Sequence, residues 1–256
     1  MRHTIGHQTQ MKHHKPTNMN TIKSLILSFF LMIMFNSVFG QYQNEVKNAN
    51  DVLNNAIAAL GGKEYLLSVK TLYTDISTEM EGRKVHWITK EMLPNKGAFQ
   101  IVYNDRIVFQ NWYDGKTGYE IVNGDKKKAD QNEFKDKMFK KNIFNELDYI
   151  DNTLWKIELI GDEKVGDENC YKIKATLING ELRNLYFSKK TFYMLREDKV
   201  SNAEKDSFST TLFSDYQKFG GLTFYTVMKF GEGDKTQVGK IVNLLVNEKI
   251  SEKDFK

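Results

Sequence analysis

Leu72-Tyr73-Thr74-Asp75-Ile76-Ser77-Thr78-Glu79-Met80 repeats with a period of two. Leu72, Thr74, Ile76, Thr78 and Met80 fall on one face, and Tyr73, Asp75, Ser77 and Glu79 on the other, the pattern of a half-buried strand. Just upstream the period is different. Val46, Ala49, Leu53, Ile57 and Leu60 recur at intervals of three and four, which makes one stripe of an amphipathic helix from Glu45 to Leu60. Gly61-Gly62 ends it, because glycine accepts the left-handed conformation that commonly closes a helix. A further helical turn is expected at 63–68.

Downstream the period of two persists. Strands are expected at Lys84–Leu93, Ala98–Asn104, Arg106–Tyr113 and Gly118–Val122, punctuated by Pro94-Asn95-Lys96-Gly97, Asn104-Asp105, Asp114-Gly115 and Asn123-Gly124. Asp-Gly and Asn-Gly suit tight hairpins, whose central residues take positive φ. A helical interlude from Asp130 to Tyr149 follows, with Phe134, Met138, Ile143, Phe144 and Leu147 as its apolar face. Strands resume at Leu154–Ile160, Asn169–Leu177, Glu181–Phe187, Phe192–Glu197, Phe208–Tyr216, Leu222–Phe230 and Thr236–Val246. Lys126-Lys127-Lys128 reads as a solvated charge run in a turn. Roughly eleven short strands at regular spacing indicate a large antiparallel sheet or barrel.

The beginning of the chain reads differently. Lys23, an apolar run from Ser24 to Phe35, and the small residues Val38 and Gly40 make a secretory signal with cleavage before Gln41. An uncleaved anchor would need about 20 apolar residues, and this run is shorter. Met19 is the expected true start, with residues 1–18 an upstream extension, 19–40 the signal peptide and 41–256 one ligand-binding domain. Export to the periplasm follows, with secretion or membrane association as alternatives. The net charge of +4 rests on Arg2, Lys12, Lys15 and Lys23, and the remaining chain carries 33 basic and 33 acidic residues. Such a balance offers no electrostatic footprint for nucleic acid.

Catalytic motifs are absent from the sequence. There is no G-x-S-x-G elbow and no phosphate-binding glycine loop. After the leader only His86 and Cys170 remain of their kinds, so no His/Cys zinc cluster can form and no internal disulfide either. A Cys170–His86 pair and a carboxylate pair at Asp75 and Glu79 each read better as ordinary strand chemistry. The acids Asp162, Glu163, Asp167 and Glu168 lack EF-hand spacing. No enzyme, metal or cofactor is implied.

Aromatic residues on alternating strands stand out. They are what a packed β core uses, and also what a concave face needs to hold a hydrocarbon. The expected lining is Trp87, Phe99, Tyr103, Phe109, Trp112, Trp155 and Phe224.

The segment Phe213-Ser-Asp-Tyr-Gln-Lys-Phe-Gly-Gly-Leu-Thr-Phe-Tyr-Thr-Val-Met-Lys229, continued by Gly239-Lys-Ile-Val-Asn-Leu-Leu-Val-Asn-Glu-Lys-Ile250, resembles the closing hairpin of the periplasmic outer-membrane lipoprotein carrier and lipoprotein-sorting superfamily (LolA-like), in the versions common in Bacteroidetes. Ala58-Ala-Leu-Gly-Gly-Lys-Glu-Tyr-Leu66 with Ser68-Val-Lys-Thr-Leu72 is similar to that family's entry into its first strand. Tyr186-Phe-Ser-Lys-Lys-Thr-Phe-Tyr-Met-Leu195 is similar to its central strand–turn–strand. The resemblance implies a mainly β fold with an α lid: one antiparallel sheet curled into an open half-barrel, with helices at 45–68 and 130–149 covering an apolar cavity. It implies a monomer that binds a lipid, acyl chain or acylated protein, with inner- or outer-membrane partners. No residue that locks the lid of such carriers is matched here, and none is assigned. The alternative expectation is an envelope interaction module with a filled core and no ligand.

Overall fold

The computed structural model describes residues 46–202, 207–231 and 236–256. The extension and signal peptide expected at 1–40 lie outside the described residues. Glu45–Lys256 forms one compact unit.

Helix α1 (Ala49–Leu60) opens on a capping box. Asn48 Oδ1 accepts from the Asp51 amide at 3.1 Å, and the Asp51 carboxylate accepts from the Asn48 amide at 3.1 Å. It stops at Gly61-Gly62, both with positive φ, where the Gly62 amide donates to the Ile57 carbonyl. A short α2 (Lys63–Ser68) leads into the sheet.

The strands are β1 (Thr71–Met80), β2 (Arg83–Met92), β3 (Lys96–Tyr103), β4 (Arg106–Tyr113), β5 (Gly118–Val122), β6 (Asp125–Lys128), β7 (Trp155–Val165) and β8 (Glu168–Leu177). They continue with β9 (Leu182–Ser188), β10 (Met194–Asn202), β11 (Ser207–Ser214), β12 (Gln217–Phe219), β13 (Leu222–Phe224), β14 (Val227–Phe230) and β15 (Gln237–Val246). Thirteen of them form one antiparallel sheet in the order β6-β5-β4-β3-β2-β1-β15-β14-β11-β10-β9-β8-β7, while β12 and β13 pair as a separate hairpin. β6 and β7 are the two edges, so the sheet is open.

β7 and β10 run on past their expected ends and β12 is an additional short strand, and two further places depart from expectation in kind. Asp125–Lys128 is strand β6 rather than a turn, fully exposed at one edge, where lysines discourage pairing with another chain. The expected single strand Leu222–Phe230 is broken at Thr226, whose amide and hydroxyl both donate to the Asp215 carbonyl and so leave the ladder.

The interlude is not one helix. It contains two 3-10 turns (Gln131–Phe134 and Lys137–Phe139) and a five-residue helix α3 (Asn145–Tyr149). Side-chain ties win over helical propensity here. Asp148 accepts from the Lys141 and Asn142 amides and from the Asn142 side chain, pulling 140–142 into an extended turn. Met138, placed on the apolar face by period, is exposed.

Residues 130–149 therefore form a strap across one face of the sheet. Phe134 stacks on Tyr113 of β4 at 5.8 Å and lies flat on Gly118 of β5, where an added Cβ would come within 2.2 Å of the ring. Lys137 and Lys140 reach Glu91 of β2, and Asp136 reaches Lys199 of β10 and Arg183 of β9. The strap thus ties the two halves of the sheet to one another.

Beside it, α1 fills one half of the same face. Val52, Leu53 and Ala56 pack with Ile173, Ala175, Leu185 and Phe187, all with no exposed surface. A second cluster joins Ile57 and Leu60 to Leu72, Phe144, Leu222 and Leu244.

Candidate ligand-binding face

Residues directly opposite one another in an antiparallel ladder point to the same side. One such row runs Thr74–Thr89–Phe99–Asn111 and the next Ile76–Trp87–Ile101–Phe109. On the other flank Ile76 faces Ile241, Met228 faces Gly239 and Phe213, and Phe230 faces Thr211. The rows continue through Glu197, Leu185 and Ile173 to Leu159. This is the face that the strap and α1 cover.

An aromatic ladder stands on it. Trp87 lies 6.0 Å from Phe99 and 5.1 Å from Phe230, and Phe99 lies 6.2 Å from Phe109, between ring centroids. Phe109 is 36% exposed and Trp87 and Phe99 are half-buried. Tyr103 is on the same side at the hairpin tip, with the Arg83 guanidinium 5.8 Å above its ring. Trp155 sits at the far edge in a T-shaped contact with Tyr149 at 4.9 Å. Phe224, on the β12–β13 hairpin, stacks on Tyr225 at 4.3 Å and meets Phe144 edge-on. Six of the seven expected residues therefore come to one side of the molecule.

Trp112 does not join them. Its row is Lys90–Ala98–Trp112–Tyr119, on the opposite side of the sheet. There the ammonium group of Lys126 lies 5.2 Å from its ring, and Lys90 pairs with Asp254 of the C-terminal turn at 2.5 Å. The sequence shows alternation within each strand but not which set of alternate residues faces the helices.

Among the described residues, three hollows lie beneath the strap. One of about 830 Å³ lies between Met138 and Phe139 on the strap and Leu182, Lys199 and Ser209 on the sheet. One of about 280 Å³ shares Phe139 with it and is bounded by Tyr149, Trp155 and Arg183. The third, about 380 Å³, shares Glu91, Lys140 and Asn145 with the second and is walled by Leu72, Phe213, Phe224, Tyr225 and Met228. Thr74, Thr89 and Thr211 add hydroxyls, and Thr74 and Thr89 are hydrogen-bonded to each other.

Charge in this region is mostly paired. Glu91 Oε1 accepts from Lys140 at 2.8 Å and Lys137 at 3.2 Å. Burial works against its charge, but the two ammonium groups hold its carboxyl down to about 2. Arg183 binds Glu181 and Glu197, each at 2.7 Å. Glu146 is the contrasting case. It is 8% exposed and lines the 380 Å³ hollow. Burial, with Glu197 and Asp148 nearby, pushes its carboxyl up to about 7.

Sequence reading missed Phe230 and Met228, although the alternation in 228–230 carries them. It gave no signal for Glu91, Lys137, Lys140 or Glu146, whose partners lie on other elements. Cys170 is buried, and burial pushes its thiol up to about 11. His86 is on β2, on the outer side, hydrogen-bonded to Asp75 at 2.7 Å; Cys170, on β8, is elsewhere in the sheet.

No family model matches the sequence, and no curated protein is similar to it. Solved structures are similar in fold. A LolA superfamily protein from Nitrosomonas europaea superposes with a TM-score of 0.57 at 11% identity, over 82% of this chain and 98% of that one. A DUF1329 family protein from Desulfovibrio piger gives 0.54 at 17% identity over 82% and 98%. A putative outer membrane lipoprotein-sorting protein domain from Vibrio parahaemolyticus gives 0.53 at 11% identity over 80% and 95%. The chain thus has a LolA-like fold, an open antiparallel sheet with helices on one face.

Proposed function

With a LolA-like fold as premise, we propose that this protein is an exported, monomeric periplasmic binder of a lipid, acyl chain or acylated protein, held on the strapped face of the sheet. It acts by binding rather than catalysis, handing its ligand between membrane-associated partners of the envelope. The observation that carries this reading is the aromatic ladder Trp87–Phe99–Phe109–Phe230, half open and continuous with the face beneath the strap. Each methylene leaving water gains about 0.8 kcal/mol. A ten-carbon chain is then worth roughly 8 kcal/mol before ordering costs, and hollows of this size suit small ligands. The exported location draws on the leader sequence and on the fold shared with a putative outer membrane lipoprotein-sorting protein domain. Among the described residues no helix is long and apolar enough to cross a membrane.

A second reading, an envelope interaction module with a filled core, is favoured by the half of the face beneath α1. Val52, Leu53, Ile173, Leu185 and Phe187 leave no exposed surface there. Native mass spectrometry of protein purified from its own periplasm separates the two. The carrier reading predicts co-purified lipid and uptake of a fluorescent fatty chain. Repeated recovery of bare polypeptide without uptake would favour the filled module.

A further inference from the structure

The 380 Å³ hollow has a mixed wall, with Leu72, Phe213, Phe224 and Met228 on one part and polar side chains on the rest, and it holds a carboxyl that no side chain among the described residues answers. Of the acids lining this hollow, Glu91 is held by Lys137 and Lys140, and Glu197 by Arg183. Asp148, next to Glu146 on α3, is held by Asn142 and two backbone amides. Glu146 has no side-chain hydrogen bond or ion pair to another residue among the described residues, and nine-tenths of its surface is buried. The one donor that reaches the Glu146 carboxyl is the amide of its own residue; a buried carboxylate so sparsely supplied is costly, and such groups cluster at sites that receive a ligand. Lys137 and Lys140, the nearby ammonium groups, are already spent on one oxygen of Glu91.

We infer that this hollow selects amphiphiles by their polar head, and that Glu146 is the anchor for a positively charged amine attached to an apolar chain. The chain would lie along Leu72, Phe213, Phe224 and Met228, and the ammonium would supply the charged donor that no side chain gives Glu146. A fatty-acid carboxylate in the same place would set like charge against Glu146, the lining acid without a cationic partner, and is disfavoured. A neutral alcohol is intermediate. The inference rests on the carrier reading and adds the class of head group to it.

Amine binding ionises Glu146, so below neutrality it releases a proton from the carboxyl. The groups facing or influencing Glu146 are Lys140 before α3, Asp148 and Tyr149 on α3, Glu197 on β10, Tyr216 and Tyr225 around the β12–β13 hairpin, and Glu91 on β2. The tyrosines are all pushed up by burial and stay neutral through this range, and Glu91 stays ionised.

The test is titration calorimetry of the full chain with decylamine, decanol and decanoate at pH 8, on the wild type and on Glu146→Gln. Decylamine is expected to bind at least about tenfold tighter than decanoate, a difference typical of a charge-assisted hydrogen bond in a closed site. In Glu146→Gln that preference should collapse to within about threefold. At pH 6 the heat of decylamine binding to the wild type should also vary with the ionisation heat of the buffer, and in the variant it should not. If decanol binds but decylamine shows no advantage over decanoate, or if the advantage survives in Glu146→Gln, the inference is overturned while the carrier reading stands. If none of the three binds, both fall together.

Discussion

Two glutamates on the strapped side behave in opposite ways, and the difference lies in their partners. Glu91 sits between two ammonium groups and titrates at about 2, below its ordinary range. Its contribution to stability is present above the unfolded carboxyl value and is lost as pH falls through about 2. Glu91→Gln should cost a few kcal/mol, toward the low end of the roughly 3–5 kcal/mol seen when one partner of a buried pair is removed; chemical denaturation at pH 7 measures it. Glu146 titrates at about 7, so its neutral form is the one the fold favours. Stability from it is present below the unfolded value and is lost as pH rises through about 7. Glu146→Gln should therefore be more stable than the wild type at pH 8, by on the order of 3 kcal/mol, and nearly equal to it at pH 4.5. A variant that gains nothing at pH 8 would mean that the carboxyl finds a further donor in solution, beyond its own amide. Neither behaviour was legible in the sequence, because Glu91 and Lys140 meet only through tertiary folding. The aromatic residues were legible, since period-two alternation is written within each strand.

The strap is the element whose form was least legible. Its apolar residues come at loosely helical intervals, yet contacts with distant strands decide its shape, and only α3 is helical beyond one turn. By contrast α1 was legible in its stripe and its Gly61-Gly62 stop, which are local signals, while its start, expected at Glu45, falls four residues later at Ala49, where the Asn48 cap opens it. The strap's seat on the sheet is narrow. Phe134 lies on Gly118 so closely that any side chain there must move it. Gly118→Val should lift this end of the strap and lower stability by about 1–3 kcal/mol, the range for overpacking. It should also speed release of a bound chain in a stopped-flow experiment. Unchanged release with reduced stability would show that the strap braces the fold without closing the site.

At the scale of the whole molecule, one sheet carries both a filled half and a hollow one. Under α1 the side chains close on each other, while beneath the strap three hollows remain and Trp87, Phe99, Phe109 and Phe230 face partly open space. The sequence conveyed a large antiparallel sheet, since strand period and hairpin turns are local. It could not convey which side is covered, and so Trp112 was grouped with residues that face the other way. Because Trp87 and Trp112 face opposite sides of the sheet, their fluorescence reports which side a bound chain occupies. Two variants are made, each keeping a single tryptophan at 87 or at 112 with phenylalanine at the other indole positions, and each is titrated with a bromine-tagged decyl chain. Quenching of Trp87 with Trp112 unaffected is the predicted result. Equal quenching of both, or quenching of Trp112 alone, would contradict a chain bound on the strapped face.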